Sequence, residues 1–360
     1  MPAQSNLSAL PRQELALAVV EGEGAVKNTI GSKILGDLPV SYRNAHYIKA
    51  TLGGSLGLRH IGATKYVRAM GTKYERATAT LSDGSLTVTP RGLEISVPRE
   101  MTLDYKNVFD ALAFFSGRFG TEIGALTKEY LIAQTIFNTG AYIKGSATNA
   151  GVDYTATARD TAGTSGMNPI QDIIASARRV RENGEVADTV IMSGPVWERV
   201  STCQNTLQYV RGTFGPIQDV TPELFLKALG AYGIKQVLVG DSYINAAADG
   251  ATPSLAQVWN NSSIVVCKAG MTSASQTEGS LVPSLTGLGA TVFWEGFDGT
   301  GTGTMQPVES KFDFQGGGGY YVETYPSWET ESEIIRIKMS HKPTITNNRA
   351  GDIIATGYVA

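Results

Sequence analysis

Residues 41–80 cannot fold by themselves, and that restricts every architecture open to the chain. Arg43, Lys49, Arg59, Lys65, Arg68, Lys73 and Arg76 stand there against Glu75 alone, seven cations to one acid, a local charge of +6. Gly53, Gly54, Gly57, Gly62 and Gly71 loosen the same stretch, and few large apolar residues accompany them. Such a segment removes too little apolar surface from water to offset the entropy of ordering it, so it needs an outside surface to rest on. The charge of that surface is visible further along. Between residues 241 and 330, nine acids (Asp241, Asp249, Glu278, Glu295, Asp298, Glu309, Asp313, Glu323 and Glu329) face Lys268 and Lys311, a net of −7. A basic projection and an acidic second half in one chain predict docking onto another copy, a heterologous contact that closes into rings or propagates.

Composition narrows the class. The 360 residues hold 30 Lys and Arg against 33 Asp and Glu, a formal net charge of −3, which argues against a surface given over to nucleic acid. Hydrophobic residues make up 42%, enough for a sizeable core, and the length predicts about two domains. The 41 glycines predict tight turns and extended loops rather than long bundles. Cys203 and Cys267 stand outside any CxxC pair and read as buried small hydrophobes. The apolar run Leu15–Val20 lies between Glu14 and Glu21 with no cleavage box, so it is no secretory signal. No stretch approaches the ~20 apolar residues of a membrane span, and a soluble intracellular protein is expected.

Along the chain, residues 1–44 lack a sustained period, with Gly22, Gly24, Gly31 and Gly36 as helix breakers, and read as an arm. Asp83-Gly84 is a turn signal between short β-rich runs, followed by strands at Leu86–Thr89 and Leu93–Val97. From Val108 to Phe137, apolar residues recur every three or four positions. That is the ~3.6-residue period of a helix, expected over 107–139, although Gly117, Gly120 and Gly124 weaken it. Residues 144–168 read as a polar loop at a domain boundary. A second helix opens at Asn168-Pro169 with Gln171 in capping-box position and closes before Gly184. Further signals are a strand at Thr189–Met192, a short helix from Pro195, a helix from Thr221-Pro222-Glu223 to Gly230, and strands at Val237–Val239 and Ile264–Val266. Ile335, Ile337 and Met339 alternate with Arg336 and Lys338 as a half-buried strand.

The search for catalytic chemistry yields little. His46, His60 and His341 do not stand at metal-ligand spacing, and no nucleophile elbow, phosphate-binding loop or dinucleotide fingerprint is present. Glu329, Glu331 and Glu333 read as one solvent face of an extended segment, and Arg178, Arg179 and Arg181 as cations complementing a helix C-terminus. Trp197, Trp259, Trp294 and Trp328 are isolated, which suits core or interface anchoring better than a stacking platform.

The order of parts nevertheless resembles a known family, the major capsid proteins of tailed bacteriophages with the Hong Kong 97-type capsid fold. The resemblance is carried by the basic loop running into Arg91-Gly92-Leu93-Glu94-Ile95-Ser96-Val97-Pro98, by the helix with Glu129-Tyr130-Leu131-Ile132-Ala133, and by Asp188-Thr189-Val190-Ile191-Met192-Ser193-Gly194-Pro195-Val196-Trp197. Thr221-Pro222-Glu223-Leu224, Val237-Leu238-Val239-Gly240 and Val258-Trp259 follow in the same order. The resemblance implies an α+β fold with an N-terminal arm (1–44), an extended β-hairpin loop (45–80) and a peripheral domain (81–164) with the spine helix at 107–139. A mixed α/β axial domain (165–317), a return to the peripheral domain (318–345) and a tail (346–360) complete it.

It also implies a structural, non-enzymatic role without cofactors or metal. Copies would self-assemble into hexamers and pentamers of an icosahedral shell that encloses double-stranded DNA without reading its sequence. Assembly is expected in the host cytoplasm, with a separate scaffolding protein, a portal and possible decoration proteins as partners, and no membrane. Arg59, Lys65, Arg68, Lys73 and Arg76 would lie on a neighbour's acidic surface, with Glu295, Asp298, Glu309, Asp313, Glu323 and Glu329 as candidate acceptors. Two alternatives stay open: an encapsulin-like nanocompartment shell, which shares the fold, and, from a different class, an α/β hydrolase.

Overall fold

A computed structural model describes residues 29–40, 42–51, 70, 80–100, 103, 111–143, 168–215, 219–247, 252, 254–269, 287–294, 314–316 and 320–354. In chain order the elements are α1 (Gly31–Ile34), β1 (Gly36–Val40), β2 (Asn44–Thr51), β3 (Thr80–Thr87), β4 (Arg91–Pro98), α2 (Ala111–Ile136), α3 (Pro169–Glu182), β5 (Thr189–Ser193), α4 (Gly194–Thr202), α5 (Gln204–Phe214) and α6 (Pro222–Gly230). Then come β6 (Gln236–Gly240), β7 (Tyr243–Asn245), β8 (Leu255–Gln257), β9 (Ile264–Cys267), β10 (Gly289–Trp294), β11 (Phe314–Gly316), β12 (Tyr320–Ser327), β13 (Ser332–Met339), β14 (His341–Ile345) and β15 (Gly351–Ile354).

One sheet, in the order β15-β9-β5-β6, divides the interior in two. Every residue of β5 is buried, and because side chains alternate across a strand, its two faces feed different cores. Val190 and Met192 join Val266, Ile173, Val180, Phe225 and Leu229 under α3 and α6. Ile191 joins Val265, Cys267 and Trp259 on the other face, against Ile132 and Ile136 of α2, Ile34 of α1 and Leu35 that caps it. A second sheet, β11-β12-β13-β4, is antiparallel throughout and packs Val97, Ile335, Ile337 and Met339 beneath Ile123 of α2. The third sheet joins chain ends: β1 runs parallel to β10, which pairs antiparallel with β14.

The helix caps follow the sequence signals closely. The Asn168 side chain accepts from the Gln171 N–H at 3.3 Å, and that of Thr221 from the Leu224 N–H at 3.4 Å, each satisfying an orphan donor ahead of a proline in the first turn. Cys203 and Cys267 are buried, and neither forms a disulfide.

Three expectations need correction. Asp83-Gly84 is no turn: both lie inside β3, opposite Ile48 and Tyr47 of β2, because pairing with a strand far back in the chain overrides a local turn preference. Gly31 does not act as a helix breaker, since it opens α1 and is buried with Ile34, while Gly36 opens β1, which belongs to a sheet. The carboxylates at 329, 331 and 333 do not share an extended segment. Glu329 and Glu331 sit in the turn between β12 and β13, Glu331 with φ of 44°, and only Glu333 is on a strand. Elements that gave no usable signal of their own include α1, α5, β1, β7, β8, β10, β11, β12, β14 and β15.

Candidate functional site

Arg59, Lys65, Arg68, Lys73 and Arg76 lie outside the described residues, as do Glu295, Asp298, Glu309 and Asp313. The antiparallel ladder of β2 and β3 brackets residues 52–79. Two candidate acceptors fall on a single hairpin: Glu323 on β12, in register with Arg336 of β13, and the exposed Glu329 in the turn beyond it. Arg336 is already engaged, donating to Glu94 of β4 at 2.6 Å and to the Tyr325 hydroxyl at 2.9 Å, with its guanidinium 4.6 Å from the centre of the Tyr325 ring. The Arg336–Glu94 pair is largely open to solvent, so it contributes at most about 1 kcal/mol.

The turn between β12 and β13 is built to hold one shape. Thr330 Oγ1 is 3.0 Å from Ser327 Oγ and 2.5 Å from Ser332 Oγ, and Ser96 of β4 donates to Ser332 at 2.8 Å. The Glu331 carbonyl accepts from the Arg99 N–H at 3.0 Å, which anchors the one described non-glycine residue in left-handed backbone. This scaffold leaves Trp328 85% exposed, although an indole is among the largest apolar groups a protein can bury.

Behind the surface, one carboxylate ties three distant parts of the chain together. Glu129 of α2 is 2% exposed. It accepts from the N–H groups of Ile30 and Gly31, both at 2.8 Å, and from the Trp259 indole N–H at 3.1 Å. Burial raises its pKa above the usual carboxylate range, and the three donors, with Lys128 nearby, pull it partly back. Only glycine fits at 31, since a Cβ there would lie 2.6 Å from Glu129 Oε2 and 2.8 Å from Ile132 Cδ1. Gly240 is needed likewise, because its Cβ would fall 2.4 Å from the Trp259 ring. Next to this node Lys128 pairs with Asp37 of β1 at 2.6 Å. On α3 Arg179 pairs with Asp352 of β15 at 2.6 Å, where Ser176 also donates. The arginine read as a helix-terminus charge thus has a specific partner across 173 residues of sequence. Lys268 and Asn347 converge on the two oxygens of Glu185 at 3.1 and 2.9 Å.

Beside Trp259 opens a pocket of about 500 Å³, with Ala133 of α2, Phe137 just beyond its end and the Trp259 ring as apolar wall and Gln134, Gln257 and Asn260 as polar rim. Phe137 and Trp259 meet edge to face at 5.9 Å. The Gln257 Oε1 is buried without a hydrogen-bond partner. Among the described residues no group of three or more His, Cys, Asp or Glu is placed to hold a metal, and no described helix is long and apolar enough to cross a membrane.

No protein-family model and no curated protein matches the sequence. Solved structures do. A phage-related protein of Bordetella bronchiseptica RB50 aligns over 96% of this chain and 98% of its own, at 18% identity and a TM-score of 0.59. The capsid of Cyanophage P-SCSP1u aligns over 90% of this chain and 87% of its own, at 12% identity and a TM-score of 0.49. The chain shares the α+β fold of the Bordetella phage-related protein. The holo-SrpI encapsulin complex of Synechococcus elongatus PCC 7942 aligns over 100% of this chain and 91% of its own, at 11% identity and a TM-score of 0.43. The α+β class was legible in the order of sequence motifs. The buried Glu129 node and the exposed Trp328 were not: the motif that begins at Glu129 gives no sign of the distant donors it meets, and Trp328 stands outside any motif.

Proposed function

We propose that this chain is a shell subunit, the major capsid protein of a tailed double-stranded DNA phage, which self-assembles into the hexamers and pentamers of an icosahedral shell around the genome. The observation that carries the reading is the shared fold with a phage-related protein along nearly the whole of both chains. Function inferred from fold is analogy, and the charge map supplies support that does not depend on it. A +6 segment that cannot bury itself and a −7 second half suit repeated contacts between identical subunits. In this reading Arg59, Lys65, Arg68, Lys73 and Arg76 dock on a neighbour, with Glu323 and Glu329 among the acceptors. Scaffolding, portal and decoration proteins are separate partners in the host cytoplasm, and the virion is the destination. The subunit's part is mechanical: the buried ties at Glu129 and Asp352 keep each body rigid, so contacts between bodies repeat with one geometry.

Electron microscopy of the purified full-length chain, with nuclease treatment of particles from the native host, tests the reading. Closed shells protecting double-stranded DNA are expected. Shells holding only protein would instead support a nanocompartment, and a chain that stays monomeric at high concentration with its natural accessory proteins would refute both. Charge reversal at Arg68→Glu with Lys73→Glu should leave far-ultraviolet circular dichroism unchanged and impair shell formation.

A further inference from the structure

Trp328 and the Trp259 pocket are complementary features of one chain. The indole stands 85% exposed on its hydroxyl-braced turn, so it does not occupy its own chain's pocket. The pocket, at about 500 Å³, falls in the range of about 300–1,000 Å³ that receives small aromatic-sized groups. Its wall offers an edge-to-face pair of rings, Phe137 and Trp259, against which a third ring packs favourably. Its side carries an acceptor with no donor, the Gln257 Oε1, which a small turn of the amide presents to an entering indole N–H. Gln134, Gln257 and Asn260 leave the lining without formal charge, so a neutral aromatic suits it better than a lysine or arginine.

We propose that Trp328 of one subunit inserts into the pocket between Phe137, Gln257 and Trp259 of a second copy, as a knob-in-hole contact between shell subunits. Knob and hole are different surfaces of the same chain, so the contact is heterologous: each subunit gives one and receives one, and the array closes or propagates. The lattice this implies rests on the shell reading above, whereas the pairwise contact does not. An exposed aromatic on a rigid mount loses little conformational freedom on docking, the property expected of an interface anchor.

The test separates the two surfaces. Trp328→Ala removes the knob at an exposed position, and Gln134→Trp, on an exposed helical site at the pocket mouth, blocks the hole. Circular dichroism should show both full-length variants folded. Each alone should need at least about 30-fold higher concentration to assemble, as measured by sedimentation velocity, the fold-change of an interface hot spot. Mixed, they should form a 1:1 complex that grows no further, because only one knob and one open hole remain. Trp328→Ala assembling at the wild-type threshold overturns the proposal, as does failure of the mixture to pair. Loss of assembly in Gln134→Trp alone also overturns it, since the pocket then takes some other segment. Failure of the shell reading looks different: wild type would form open oligomers that Trp328→Ala abolishes.

Discussion

Glu129→Gln is the most informative single change in the core. The carboxylate offers two acceptor oxygens to three buried N–H donors, those of Ile30, Gly31 and Trp259, and an amide keeps only one. In its best orientation the glutamine oxygen serves Ile30 and Trp259, and its NH2 faces the Gly31 N–H, donor against donor. One charge-assisted bond is lost and a buried N–H is stranded, each worth about 1–3 kcal/mol. The two surviving bonds also weaken from ionic to neutral. Against this, the variant no longer buries a charge, the effect that raises the Glu129 pKa. The net expectation is a loss of about 3 kcal/mol, or about 4 °C in Tm for a chain this size, read by thermal and urea unfolding. Glu129→Ala strands all three donors and should cost about 5 kcal/mol.

The pH dependence has a definite sign. With the folded-state pKa above that of the unfolded chain, the native state holds this proton at higher pH. The group's contribution is therefore fully present below the unfolded value and declines as pH rises through the folded pKa. The gap between wild type and Glu129→Gln should be wider at pH 4 than at pH 7, since even a protonated carboxyl keeps a hydroxyl oxygen that accepts, and an amide nitrogen does not. A glutamine variant within 0.5 kcal/mol of wild type, roughly the level of a neutral surface change, would refute the idea that this carboxylate closes the node. So would a gap that widens with pH.

Other consequences follow from the same coordinates. Gly31→Ala forces a methyl against Glu129 and Ile132 and should cost about 2 kcal/mol, while Gly212→Ala, in α5 with nothing within 4 Å, should stabilise by about 0.5–1 kcal/mol; urea midpoints distinguish the two. Asp352→Asn breaks a pair whose side chains are 11% and 14% exposed and should lower stability by about 3 kcal/mol, with amide exchange speeding up in β15 first. Burial pushes the Cys267 thiol well above its ordinary pKa, so an aromatic disulfide reagent at pH 8 should modify it only in denaturant; modification at a free-thiol rate in buffer would contradict its placement in the core.

Legibility in the sequence tracked how local the cause was. Asn168-Pro169 and Thr221-Pro222 placed two helix starts to the residue because capping is decided within four positions. The β13 alternation was equally plain, since one buried face imposes period two. Strands β10 and β14 were invisible because short segments become strands only when a distant partner arrives, here Gly289 beside Ile345 and Gly36 beside Ala290. The same holds for function. The charge division between residues 41–80 and 241–330 is a sum over sequence and was countable. The Glu129 node joins positions 30, 129 and 259, and nothing short of the fold brings them together. Glycine misled twice for one reason: Gly31 and Gly84 answer to neighbours across space, a close carboxylate and a paired strand, rather than to local chain stiffness.

Sheet closure across such spans affects how the protein is made. β9 receives β15 only after residue 354 has been synthesised, and β10 needs β14, so the halves of both cores wait for residues far along the chain. A ribosome that stops early releases a polypeptide with β9 and β10 edges bare and Arg179 lacking Asp352, open to proteases and unable to set into a rigid body. Late completion thereby separates polypeptides that stop short of residue 354 from those that pass it, by rigidity alone.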